Sequence, residues 1–108
     1  MTVDTLQIEL LAFADCPNAE RARTNVTEAL AAEGRSEDVR YIEVDTPDLA
    51  LQHRFLGSPS VRINGTDVER AAELRGDYGL MCRTYTDGAT VAGVPSVALI
   101  RAAVRSAV

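Results

Sequence analysis

A chain of 108 residues has room for one domain, and at 46% hydrophobic and 25% charged residues it can fold without disulfide or metal staples. The formal net charge of −5 argues against nucleic acid or an anionic membrane surface as partner. No apolar run approaches the ~20 residues that cross a bilayer.

The start, Met1-Thr2-Val3-Asp4, has neither a basic region nor a long apolar stretch, which predicts no secretion signal and a cytoplasmic chain. Two cysteines are too few for a disulfide scaffold; in that compartment they are expected to be buried, reactive or metal-binding.

Leu6 to Phe13 (LQIELLAF) alternates at first and is then continuously apolar, as in a strand buried on both faces in its second half. A turn through Ala14-Asp15-Cys16-Pro17 follows. From Pro17 to about Glu33 the residues Ala19, Ala22, Val26, Ala29 and Leu30 recur at helical spacing, with Pro17 at the first helical position and Gly34 closing the run. Val39 to Val44 (VRYIEV) reads as a second strand. Thr46-Pro47-Asp48 is a strong helix start, and that helix is expected to stop at Gly57. The strand–helix–strand–helix order implies a parallel pair joined by a crossover.

Ser60 to Ile63 begins a third strand, and Asn64-Gly65 signals a two-residue hairpin that returns Thr66-Asp67-Val68 antiparallel. Glu69 to Gly79 is polar and aperiodic and is expected to be a loop. Leu80 to Thr86 (LMCRTYT) reads as a short strand ended by Asp87-Gly88. Pro95 or Ser96 opens a last helix in which Val97, Ile100, Val104 and Ala107 share a face.

Cys16 is the first candidate for chemistry. It follows an apolar strand and precedes a helix, where unpaired N–H groups and the positive end of the dipole favour thiolate, the nucleophilic and metal-binding form. That position predicts Cys16 to be the more reactive thiol, titrating below the free value of ~8.5. Arg21 and Arg23 add to the field, and the carboxylate of Asp15 opposes it. Cys82 is the second candidate. It follows a loop long enough to return it toward Cys16, where the pair would form a reversible disulfide or hold a soft metal ion. Arg83 beside it is expected either to support a thiolate or an anion, or to be a solvated strand residue. The only histidine, His53, sits mid-helix and is expected to be structural. No residue lies at ligand spacing from Cys16 for a structural zinc site, no phosphate-binding glycine loop is present, and no cofactor is expected.

The order strand, Cys at a helix start, then Gly57-Ser58-Pro59-Ser60-Val61-Arg62-Ile63-Asn64-Gly65 resembles the thioredoxin-like superfamily, in particular its glutaredoxin-type branch. Through Asp15-Cys16-Pro17, Gly57-Ser58-Pro59 and Cys82-Arg83-Thr84-Tyr85, nearly the whole chain is similar to small bacterial thioredoxin-like proteins, some labelled alkylmercury lyase. The resemblance implies an α/β βαβαββα three-layer sandwich over residues 1–108, with an extra loop or strand before the last helix. It also implies a cis Pro59 packed against Cys16, with Ser58 and Pro17 in support. The chain departs from the family at Ala19, where dithiol members carry a second cysteine, and at Asp15, where an aromatic residue is usual. It also lacks the Gly-Gly where many glutaredoxins bind glutathione.

Two functions follow as expectations. One is a thiol–disulfide oxidoreductase acting on a small thiol or a protein disulfide, with Cys16 as nucleophile and Cys82 as resolving thiol. The other is capture or cleavage of a thiophilic metal compound or organomercurial by Cys16 and Cys82, with Asp15 as the nearest acid. A third outcome keeps the fold as a non-catalytic binding module.

Overall fold

The computed structural model describes residues 5–107, so the expectation for Met1–Asp4 lies outside the described residues. The apolar run near the start forms β1 (Ile8–Ala12), in which only Glu9 is not fully buried. This strand is central. It runs parallel to β2 (Val39–Glu43), with Ile8 opposite Val39, and antiparallel to β3 (Ser60–Ile63), with Leu11 opposite Ser60. Beyond β3 lies the short β4 (Thr66–Asp67), completing the order β2-β1-β3-β4.

The β3–β4 turn is set by Asn64-Gly65, at φ 54° and 82°, the left-handed pair that a tight hairpin of this hand requires. Pairing outlasts the strand by one residue, since the Val68 amide donates to the Val61 carbonyl at 3.0 Å.

Helix α1 (Ala19–Ala32) buries Ala22, Val26, Ala29 and Leu30, and Gly34 closes it as expected. Its start differs from the sequence reading by two residues. The Ala19 amide bonds the Cys16 carbonyl at 3.2 Å, a tight three-residue turn. The four-residue helical spacing begins with the Ala22 amide on the Asn18 carbonyl, at 3.0 Å. Pro17 therefore sits in a turn ahead of the helix.

Helix α2 (Pro47–Gln52) starts as predicted: the Thr46 hydroxyl accepts from the Leu49 amide at 3.1 Å. It does not run to Gly57. The chain reverses at Arg54, φ 52°, and the Phe55 amide donates back to the Ala50 carbonyl at 2.8 Å. Continuing the helix would carry Phe55, which is fully buried, out of its apolar cluster.

Two further expectations are corrected. The loop 69–79 contains a short 3₁₀ helix, Arg70–Leu74. Leu80 to Thr86 is not one strand: residues 80–84 are irregular apart from a bridge at Cys82, and the regular strand is β5 (Tyr85–Asp87). It ends at Asp87-Gly88 as expected, and there the chain turns into a hairpin with an unforeseen β6 (Thr90–Ala92). Ser96 then caps α3 (Val97–Ala107), its hydroxyl accepting from Leu99 at 3.1 Å.

Alternation along β1 divides the core. Ile8 and Leu10 face a large cluster with Val26 and Leu30 of α1, Val61 and Ile63 of β3, and Ile100 and Val104 of α3. Leu11 faces the opposite way, into a small cluster with Val44, Ala50 and Phe55. Helices α1 and α3 thus cover one face of a mixed sheet and α2 the other, an α/β sandwich of three layers. Among the described residues no helix is long and apolar enough to cross a membrane.

Candidate functional site

Where β1 ends, the chain turns sharply. The Cys16 amide donates to the Phe13 carbonyl at 3.3 Å, and Asp15 between them adopts φ 62°. The Ala14 amide is held by the Asp45 carboxylate at 2.7 Å, which ties this loop to the chain just after β2. Cys16 emerges half-buried, with a free thiol. It precedes the first helical residue by three positions, so Asn18, not Cys16, occupies the helix cap.

The neighbourhood of this loop on the β2 side is acidic. The Glu43 carboxyl is raised above the usual range, first by a hydrogen bond to Asp45, then by the charge of Asp45, by burial and by Asp15. Asp45 is lowered, first by the Ala14 amide and then by the same bond to Glu43. The pair thus splits, with Glu43 above and Asp45 below the ordinary carboxylate range. Tyr41 is raised by burial and by the charges of Glu43, Asp45 and Cys16, which places its phenol within electrostatic reach of the sulfur.

Across the sheet lies the loop Gly57–Ser60. Its Ser58–Pro59 peptide is cis, and Pro59 is fully buried. The β1–β3 register, carried two positions past Leu11 and Ser60, sets Phe13 opposite Ser58. The contact is direct: the Phe13 amide donates to the Ser58 hydroxyl at 3.3 Å.

On its other side Ser58 pairs with Cys82 in a parallel bridge. The Ser58 amide donates to the Met81 carbonyl at 2.8 Å, and its carbonyl accepts from the Arg83 amide at 3.0 Å. Phe13, Ser58 and Cys82 therefore lie side by side. Both cysteines belong to one end of the sheet, Cys16 through the Phe13 turn and Cys82 through Ser58. Cys82 is exposed, and its thiol is free.

Arg83 is neither solvated nor open to an anion or a thiolate. Its side chain is 1% exposed, and both terminal nitrogens are bonded internally, while Nε is buried without a hydrogen-bond partner among the described residues. It grips Asp67 in bidentate fashion at 2.6 and 2.8 Å, Glu69 at 3.0 Å and the Ser60 hydroxyl at 3.0 Å. It also lies 4.5 Å from the centre of the Tyr85 ring. Burial works against its charge, but the bonds to Asp67 and Glu69 and the charges around it hold the guanidinium more firmly protonated than usual.

The Tyr85 hydroxyl in turn donates to the Pro59 carbonyl at 2.6 Å, and the Ser60 hydroxyl to the Gly57 carbonyl at 2.6 Å. Gly57, at φ 121°, lets this packing close: a Cβ there would lie 3.0 Å from Arg83 Cβ and 3.2 Å from the Met81 carbonyl. The segment Met81–Tyr85 is thus a brace for the cis-proline loop.

Sequence reasoning missed this brace, along with Glu43, Asp45 and Tyr41. The partners of Arg83 lie 14 to 23 residues away, so no local pattern joins them. His53 caps α2, and its carbonyl accepts from Arg62, consistent with a structural place. Among the described residues, no group of three or more His, Cys, Asp and Glu side chains could hold a metal ion.

Comparison with protein-family models, curated proteins and solved structures gave no match for this chain.

Proposed function

We propose that the protein is a thioredoxin-like thiol–disulfide exchange protein with Cys16 as its nucleophile. One observation carries this reading: a half-buried free cysteine leaves the central strand in a turn tied, through Phe13, to a loop with a cis Ser58–Pro59 bond. The sheet order β2-β1-β3-β4, with helices on both faces, agrees with it.

In the reaction the Cys16 thiolate attacks one sulfur of a disulfide and forms a mixed disulfide, and the other sulfur leaves as thiolate. Ala19 stands where dithiol members have their second cysteine, so resolution falls to Cys82 or to an external thiol. Attack by Cys82 on Cys16 leaves a Cys16–Cys82 disulfide and frees the substrate thiol. Free thiols of this kind suit a reducing compartment, the cytoplasm.

The test is reaction of the reduced protein, freed of reductant, with hydroxyethyl disulfide, read by released mercaptoethanol and by mass spectrometry of the adduct. Cys16→Ser is expected to abolish both the release and the adduct. Cys82→Ser should keep the first step and accumulate the mixed disulfide on Cys16. An unreactive Cys16 in the wild type overturns the reading.

A second reading, cleavage of an organomercurial, is favoured by the carboxyl pair beside the Cys16 loop, where Asp45 holds the Ala14 amide and raises Glu43, the better proton donor of the two. The Cys16 sulfur would bind mercury, the mercury–carbon bond would break, and the carbon would take the Glu43 proton and leave as hydrocarbon, with mercury kept on the cysteines. Methane release from methylmercury, lost in Glu43→Gln, is its separate test.

A further inference from the structure

On the face covered by α2, a cleft of about 130 Å³ opens between the Asn64-Gly65 hairpin, the turn at Arg54–Leu56 and the segment 72–78. Three guanidiniums line it, those of Arg54, Arg62 and Arg75, together with Tyr78 and Glu73. The position of Arg62 is fixed. Its Nη2 donates to the carbonyls of His53 at 2.6 Å and Arg54 at 2.9 Å, which leaves Nε and Nη1 with no protein acceptor among the described residues. No carboxylate reaches salt-bridge distance of Arg62 or Arg54 among those residues either. Asp67, which also lines the cleft, is held bidentate by Arg83, and Arg75 is paired with Asp77 at 2.7 Å.

Glu9 and Asp67 stand opposite Arg62 in the strand register but make no salt bridge to it, and a half-buried guanidinium not directly paired is costly unless something completes its hydrogen bonds and charge. Burial pushes the Arg62 guanidinium below its usual range; Asp67 and Glu9 oppose this, while Arg54 and Arg83 add to it. The free donors of a rigid planar fork match an oxyanion in shape and charge. Drug-sized ligands occupy roughly 300–1,000 Å³, so the cleft admits only a small ion or the end group of a larger molecule.

We propose that this cleft binds a small tetrahedral oxyanion, a phosphate or sulfate group, on Arg62 with Arg54 and Arg75 closing around it. The Tyr78 hydroxyl supplies a further donor, and Glu73 weakens the site.

The test is thermal unfolding during titration with inorganic phosphate, sulfate and glycerol phosphate, each balanced with sodium chloride at constant ionic strength. A saturable rise in melting temperature beyond the chloride control is expected. Glycerol phosphate raising it as well identifies the end group of a larger molecule as ligand; inorganic ions alone identify the free ion. Arg54→Asn suits the left-handed backbone at that position and should weaken binding about tenfold. Glu73→Gln should tighten it. Identical responses to phosphate and chloride overturn the proposal, as do phosphate titrations that neither substitution moves.

Discussion

The Tyr85 hydroxyl donates a 2.6 Å hydrogen bond to the carbonyl of Pro59, and both groups are buried. No water can replace that donor. Tyr85→Phe keeps the ring beside Arg83 but leaves the carbonyl unpaired, which should cost about 1–3 kcal/mol. Urea unfolding checks it: the midpoint should fall with the slope unchanged.

Arg83 invites a stronger test. Arg83→Met strands Asp67 and Glu69 in a partly buried site and should destabilise by about 3–5 kcal/mol. Removing those charges as well, with Asp67→Asn and Glu69→Gln, should restore part of the loss. The triple variant proving no more stable than Arg83→Met alone would show that the brace acts through packing instead.

Glu33 gives a pH dependence. Hydrogen bonds from Arg105 and Arg101 on α3 lower its carboxyl in the folded protein. The unfolded chain then binds the proton more readily, so the Glu33 contribution is present above the ordinary glutamate value of ~4.3 and is lost as pH falls through the lower folded value. Urea midpoints between about pH 6 and pH 3 should drop less steeply in Glu33→Gln than in the wild type, since only the wild type loses this contact in acid.

Gly93, just past the β5–β6 hairpin, lies against the side chain of Asn18. A Cβ at this position would run into the side-chain amide of Asn18, two residues after Cys16. Gly93→Ala should destabilise the wild type, and less so in an Asn18→Ala background, with a coupling of about 0.5 kcal/mol or more. Iodoacetamide labelling of Cys16 should change in Gly93→Ala and revert in the double variant. Additive effects would separate the hairpin from the loop.

The elements through β4 and α3 were legible because each carries a local mark: the Thr46 cap, the Asn64-Gly65 turn, Gly34 and the Ser96 cap. The end of α2 was hidden because Arg54 is a poor candidate for a left-handed position, and burial of Phe55 imposes it. Strands β5 and β6 have three residues each, too few to show a period of two. Cys16 stood out by position, and Pro59 only through the family resemblance carried by Gly57-Ser58-Pro59. Arg83 did not, because a charged residue among apolar ones looks solvated unless its carboxylate partners are known to fold over it.

The two faces of the sheet are unequal. Among the described residues, the apolar cluster beneath α2 has four buried side chains, against fourteen beneath α1 and α3. Regions with few buried contacts open at lower free energy than the whole molecule. Native-state hydrogen exchange should therefore find the amides of His53 and Phe55 released by a local opening, while those of β1 and α1 wait for global unfolding. The carbonyls that seat Arg62 belong to the part that opens first, so an occupied cleft should slow that opening and leave exchange in β1 untouched.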